Sequence, residues 1–567
     1  MVITEFISRG GEKMKQAVVH NPIKSGFYPD PSICRVGEDF YLVNSSFAYF
    51  PGVPIFHSKD LANWEQIGNI LDRNEQIPLM GCGHSQGIYA PTLRYYDGVF
   101  YMITTNVSAA DSLNQPELGG NFIVTATNPA GPWSKPYFLG KDAQGIDPSL
   151  FFDDDGTCYF CGTRPNHNGE KFSGDWEIWV QKLDVETMQL TGGAIPVWNG
   201  AMRDVIWPEG PHIYKINDWY YLMHAEGGTG PDHCIAVARS KNIFGPYKGY
   251  PSNPVLTHRH LGKAYPIRYV GHGDLVNVPA EMTVSGEEKW YISCLASRPC
   301  DGYTLMGRET FLAEVTWEDG WPVVNPGIGK LTDELIIDLP VCDNEKQQTK
   351  YTFNTKTLPA QMLMLRNPDE TLYSLTDNPG FLRMPLKTVS LQEQDTPSFV
   401  GLRQTAFSFK AFAGFQFLPK QDGETAGLSL MQSNQFHFKL QIVRKENMAV
   451  AQAVMVQAKE FNGTLTGDGV KAEMEEEILA ETSLGQANEI TDYITEIKVD
   501  GIHLAAYVEV HFKDNIRNTK INLSNTIGIE ALSSEIAGGF VGNVIGIFTY
   551  SPKETDTFAD FEWFMVE

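Results

Sequence analysis

Three acidic residues far apart in this chain stand in nearly the same local setting: Asp30 in "YPDPS", Asp147 in "GIDPS" and Glu209 in "WPEGPH". A histidine, His272 in "GHGDL", follows in a fourth comparable place. Flanking proline fixes the backbone and removes an amide donor, so Asp30 in particular is held at a rigid strand entrance. Taken singly, each is a turn before a strand. Taken together, carboxylates on opposite sides of a substrate do acid–base chemistry: one protonates a leaving oxygen and the other activates water, as glycoside hydrolysis requires. A third acidic group nearby raises the acid's pKa through like-charge repulsion and keeps it protonated.

Elements must carry these groups to one place. Laid against itself, the chain shows a unit recurring about every 60 residues, a little above the length of a typical propeller blade. The units begin "DPSICRVGEDFYLVNSSF", "APTLRYYDGVFYMITTNV", "DPSLFFDDDGTCYFCGTR", "GPHIYKINDWYYLMHAEGG" and "GDLVNVPAEMTVSGEEKWYISCLAS". Each has a short apolar strand, a Gly-, Asp- or Asn-bearing turn, an aromatic-rich strand, and a further strand. One four-stranded sheet cannot bury both faces, whereas five around an axis leave only short, protected edges. A sandwich with coincidental spacing is the competing arrangement, and the recurrence of "SKDLANW", "TNPAGPW" and "SKNIFGPY" argues against it. In a propeller the first strand of each blade lines the channel, so Asp30, Asp147, Glu209 and His272 converge at one end.

After roughly residue 330 the repeat stops, and long period-two runs such as "FVGLRQTAFSFKAFAGFQF" and "IHLAAYVEVHF" indicate a two-sheet sandwich. The expected all-β architecture is a five-bladed β-propeller followed by a β-sandwich. Residues 1–20 are expected to be a leader, disordered or added in cloning, 21–335 the catalytic propeller, 336–350 a linker and 351–567 the sandwich.

Composition narrows the partners. The 567 residues carry a formal charge of −25, which disfavours nucleic acid and anionic membranes and leaves a neutral sugar compatible. No apolar run is long enough to span a bilayer. The opening residues show no secretory signal, so a cytoplasmic location is expected, with a periplasmic or secreted one if a signal has been removed. The eight cysteines end at Cys342, and Cys158 and Cys161 of "CYFC" should face opposite sides of a strand, as buried thiols rather than a metal or redox pair.

The motifs "GFYPDPS", "GIDPSLF" and "WPEGPH", with "SSFAYFPGVPIFHSKDLANW", "AEGGTG", "GHGDLV" and "LMGRETF", resemble glycoside hydrolase family 43, closest to the β-xylosidase type with an appended concanavalin-like β-sandwich. The resemblance runs from about Asn21 to nearly the end of the chain. It implies an inverting mechanism with Asp30 as general base, Glu209 as general acid and Asp147 tuning the acid, the two catalytic carboxyls standing about 6.5–9.5 Å apart. It further implies Arg308 as a sugar ligand, Phe47 and Phe50 as aromatic walls, His233 near the acid, and His272 beside a channel calcium or water cluster. No cofactor is required for the chemistry. Tyr89 stands where relatives carry tryptophan, and "CGTRPNHNGEKFSGDW" departs from their Trp-bearing segment. Phe540 in "SEIAGGFVGN" matches a sandwich loop that closes the site. The activity so implied is removal of terminal xylose from β-1,4-xylo-oligosaccharides, with α-L-arabinofuranosidase activity second or concurrent. A catalytically silent sugar-binding protein and a retaining fructosidase are the alternatives, and a homo-oligomer is left open.

Overall fold

The computed structural model describes residues 5–7, 13–107, 119–200, 204–342, 348–459, 473–513 and 518–567. Blade one is the sheet Ser32–Val36, Asp39–Val43, Gly52–Ser58 and Glu65–Leu71, paired in chain order. Four further four-stranded sheets, also in chain order, begin with Gly87–Tyr96, Ile146–Phe152, Glu209–Ile216 and Arg268–Val278. The innermost strands touch in ring order, the fifth returning to the first. Local sequence explains the hairpins: Asp97-Gly98 and Asn217-Asp218 both adopt positive φ (47° and 83°, 48° and 61°), as two-residue turns between twisted strands require.

Cys158 and Cys161 pack into different apolar clusters on the two sides of blade three, and none of the eight cysteines is in a disulfide. The stretch expected as a leader is partly structured. Lys13–His20 is a strand paired with Glu334–Pro340, itself partly in the expected linker. Ala17 and Val19 pack with Ile337, Phe40 and Leu312, so this sheet seals the junction of blades one and five. Residues 1–4 and 8–12 of the leader and 343–347 of the linker lie outside the described residues.

The sandwich has one sheet in the order Ser398–Arg403, Val544–Tyr550, Thr425–Met431, His437–Lys445, Met448–Ala458, Met474–Gln486, facing a second built around Phe558–Val566 and Ser408–Phe417. Its apolar core continues without a break into blades one and two, where Ile55, Leu93 and Phe100 share a cluster with Phe353, Leu382 and Leu428. Tyr49–Phe50 of the propeller also pairs in antiparallel register with Met364–Leu365. Among the described residues no helix is long and apolar enough to cross a membrane.

Candidate active site

At a matching place in each innermost strand, or its entrance, stands a residue with positive φ: Asp30 (52°), Ala90 (37°), Asp147 (52°), Gly210 (54°) and His272 (49°). In blades two to five the ladder slips register at this point, the mark of a β-bulge that re-aims a side chain. These five residues are the true equivalents of the repeat, and the first four each precede a proline. The expected equivalence of all three acids therefore holds for Asp30 and Asp147 and fails for Glu209, which precedes the equivalent Gly210. Such a φ costs a non-glycine residue roughly 1–2 kcal/mol. Gly210 is needed for a second reason: a Cβ there would lie 2.8 Å from the His272 ring.

Asp30, Asp147, Glu209 and His272 line one pocket of about 450 Å³, a size suited to a small ligand. Arg308 Nη1 donates to Asp30 Oδ1 at 2.9 Å and the Ser45 hydroxyl to Oδ2 at 2.6 Å. Ser45 Oγ also accepts the Ala90 amide at 2.7 Å, tying the base of blade one to the bulge of blade two. His272 Nδ1 stands 3.9 Å from Asp30 Oδ1. Burial works to raise the Asp30 pKa, but Arg308, His272 and the Ser45 hydroxyl outweigh it and hold the carboxyl below its ordinary value. Glu209 has the opposite balance. Burial and the neighbouring Asp147 and Asp30 push it well above the usual carboxylate range, with only Arg308 opposing. Asp147, whose Oδ2 accepts the Gly210 amide at 3.0 Å, is also raised, by burial first and by Asp30, against His272. A carboxyl held low and a carboxyl pushed high thus share one pocket, the opposition that general acid–base catalysis uses.

At one end of the pocket, Phe47, Tyr89 and Phe540 form an aromatic corner, with Phe47–Tyr89 centroids 5.3 Å apart and Tyr89–Phe540 6.1 Å apart, both edge-on. The Arg308 guanidinium lies 5.2 Å from the Phe540 ring. The Tyr89 hydroxyl donates to the Ser85 carbonyl, and Ser85 Oγ accepts the Phe540 amide at 2.8 Å, so the corner is braced. Phe50 is a correction. It does not line the pocket; its strand is committed to the sandwich ladder, and its ring packs in the core shared by the two domains. His233 does line the pocket. Its Nδ1 donates to the Tyr269 carbonyl at 2.9 Å, burial pushes its pKa down to about 4, and its ring fills the space a Cβ on Gly271 would take.

Sequence reading missed Trp176 and Trp207, which line the pocket with the 227–231 loop. Trp176 closes the very segment expected to depart from the relatives' Trp-bearing one, "CGTRPNHNGEKFSGDW". Trp207, at φ 46°, is slotted between Gly174 and Gly228, either of which would collide with its indole if it carried a Cβ. The available signal was its place beside Glu209 in "WPEG".

Two residues beyond the bulges lies a second ring: Ser32, Thr92, Ser149, His212 and Asp274. Asp274, fully buried, accepts from Arg94 Nη1 (2.8 Å) and Nη2 (3.0 Å), Tyr214 Oη (2.6 Å), Ser32 Oγ (2.7 Å) and the Ile33 amide (3.0 Å). Arg94 Nη2 also donates to His212 Nδ1 at 3.0 Å, which places the imidazole proton on Nε2. Burial pushes His212 down to about 3. This second ring does not offer the six to eight oxygen ligands that a hard cation needs. The ring's one carboxylate is already saturated, paired with the Arg94 guanidinium. Among the described residues, the only cluster of three ligating groups is Glu496, Glu509 and His511 on the sandwich, where Lys520 already pairs with Glu509.

Comparison with known proteins matches residues 19–322 to the model described as glycosyl hydrolases family 43 and residues 350–567 to the β-xylosidase C-terminal concanavalin A-like domain. The chain is 49% identical to a xylosidase/arabinosidase of Butyrivibrio fibrisolvens, over 97% of this chain and 99% of that protein. It is 39% identical to a non-reducing end α-L-arabinofuranosidase of Bacteroides ovatus, over 97% and 95%. The crystal structure of a xylan β-1,4-xylosidase from Bacillus halodurans superposes with a TM-score of 0.84 at 31% identity, covering 97% of this chain and all of that one.

Proposed function

The chain belongs to glycosyl hydrolase family 43 and is a glycosidase, and from that premise we propose that it removes single pentoses from the non-reducing ends of oligosaccharides by inversion, terminal β-1,4-linked xylose first. The observation that carries this reading is the opposed titration of Asp30 and Glu209 in one pocket stopped by the Phe47–Tyr89–Phe540 corner. Asp30, ionised, takes a proton from water as that water attacks the anomeric carbon. Glu209, protonated, gives its proton to the departing glycosidic oxygen. Asp147 keeps Glu209 protonated until the bond breaks. Arg308 steadies Asp30 and presents its remaining N–H groups to the sugar hydroxyls. Because the acid must sit at the scissile oxygen, Trp176 and Trp207 flank the leaving sugar, where a flat indole face suits a pyranose ring. The blocked corner favours chain ends over mid-chain cutting.

Release of terminal α-L-arabinofuranose is the second reading, favoured by the activities for which the two relatives are named. Side-by-side turnover of nitrophenyl β-D-xylopyranoside and α-L-arabinofuranoside decides the order. Loss of both, with cleavage of an arabinan or galactan oligomer instead, would overturn the pentosidase reading. NMR of the first-formed anomer separates inversion from the retaining chemistry of a fructosidase.

A further inference from the structure

The sandwich supplies Phe540 to the pocket, and the loop carrying it is fastened to the propeller just ahead of Arg308. We propose that Glu535 and Thr304 form an interdomain clasp that sets the positions of Phe540 and Arg308, and so the tightness of the terminal-sugar pocket. This rests on the glycosidase reading above. Neither residue touches the pocket; both are positioning residues.

Thr304 gives all its polar groups to one turn of the sandwich loop. Its amide donates to Glu535 Oε2 at 2.6 Å, its hydroxyl to Oε1 at 2.8 Å, and its carbonyl accepts the Ser534 amide at 3.0 Å. The Leu305 carbonyl then accepts the Asn543 amide at 3.0 Å, so the loop is gripped at both ends. Between these grips the two backbones meet closely enough that a Cβ on Gly307 would lie 2.7 Å from the Gly542 nitrogen. On the propeller side this contact runs directly into Arg308, which holds Asp30 and whose Nε reaches the Phe540 carbonyl at 3.4 Å. On the sandwich side, Gly538 and Gly539, at φ 68° and 81°, separate Glu535 from Phe540. Two glycines transmit little restraint unless the single helical turn before them, Ser534–Ala537, is anchored. Thr304 is buried and Glu535 is exposed, and a carboxylate accepting two donors forms charge-assisted bonds stronger than neutral ones. The continuous core and the Tyr49–Phe50 ladder already hold the domains together. The clasp is therefore set apart from the forces that keep the chain folded, and its loss should be felt in the pocket.

The test compares the intact chain with Glu535→Ala, Glu535→Gln and Glu535→Ala combined with Thr304→Val. For nitrophenyl xyloside, Glu535→Ala should raise KM about tenfold and weaken competitive inhibition by free xylose by the same factor, with kcat within about threefold. Glu535→Gln, which keeps one acceptor, should fall between, and adding Thr304→Val should change little, as expected of two residues in one interaction. Unchanged KM and xylose inhibition with a lowered melting temperature would overturn the proposal and leave the clasp a strut. Hydrogen exchange at residues 538–543 reads the clasp without any substrate. Faster exchange in Glu535→Ala supports it and unchanged exchange overturns it, even if the unaltered chain proved inactive on pentosides, a failure that would fall on the proposed substrate alone.

Discussion

Asp274 and Asp147 stand in two rings of the propeller channel, two residues apart in every blade, and their carboxyls are treated in opposite ways. In the lower ring Asp274 accepts from five donors, two of them from a bidentate arginine, and burial's tendency to raise its pKa is overwhelmed by Arg94 and its other partners. In the upper ring Asp147 takes one backbone amide and faces two other carboxylates, and burial wins. The depth of burial is similar, so the donor shell decides whether a carboxylate is scaffold or titrating group. A buried acid with every lone pair satisfied cannot trade protons; one left short of donors can.

The comparison can be broken by substitution. The largest effect is expected for Asp30→Asn, which leaves no base for water: kcat should fall on the order of 10²–10⁴-fold for every substrate. Glu209→Gln should cost as much on xylobiose and less on a nitrophenyl glycoside, whose leaving group needs little protonation; equal losses on both would remove Glu209 from the acid role. In the lower ring, Asp274→Asn strands a buried guanidinium and should cost about 3–5 kcal/mol of stability, read by denaturant titration, with activity per folded molecule nearly unchanged. If activity instead fell as it does for Asp30, the division between rings would be wrong.

Smaller effects sharpen the contrast. Activity needs Asp30 ionised and Glu209 protonated, so kcat/KM should rise through the Asp30 pKa and fall through that of Glu209. Removing the Asp147 charge lowers the Glu209 pKa, so Asp147→Asn should move the alkaline limb of the pH profile to lower pH and leave the acid limb nearly in place, since Arg308 and His272 continue to hold Asp30 down. An alkaline limb that stayed put would show that burial alone sets the acid. The smallest effect belongs to Ala90, the silent member of the upper ring at φ 37°. Ala90→Gly relieves its backbone and should stabilise the protein by about 0.5–1 kcal/mol with an unchanged pH profile.

The proline-flanked entries make the ring legible in the amino-acid sequence itself, because a repeat displays equivalent positions even when they are far apart. Asp30 and Asp147 stand out for this reason, as does Ala90 in "GIYAPTLRY", which the repeat places beside them although it has no chemistry. Glu209 was found through its motif, but its offset by one residue was not, since a β-bulge leaves no compositional trace. Arg94 and Asp274 come from different blades and pair only after the propeller closes, so no local pattern announces them. Phe50 misled because an aromatic pair reads alike whether it faces a ligand or a neighbouring domain. Trp176 and Trp207 went unread because a strand start of blade three and the entrance of blade four bring them together, with Trp207 held by glycines that leave it space.

The aromatic corner also bears on how the protein is made. Phe47 and Tyr89 belong to the first blades synthesised, whereas Phe540 lies near the end of the chain. As the ribosome delivers the polypeptide, the propeller can gather its carboxylates long before the last wall of the pocket exists. The core that blades one and two share with the sandwich likewise waits for partners such as Leu428 and Phe561. Competence to grip a terminal sugar therefore arrives only once the Phe540 loop has been made, and a chain interrupted before it would carry the acids in an open groove.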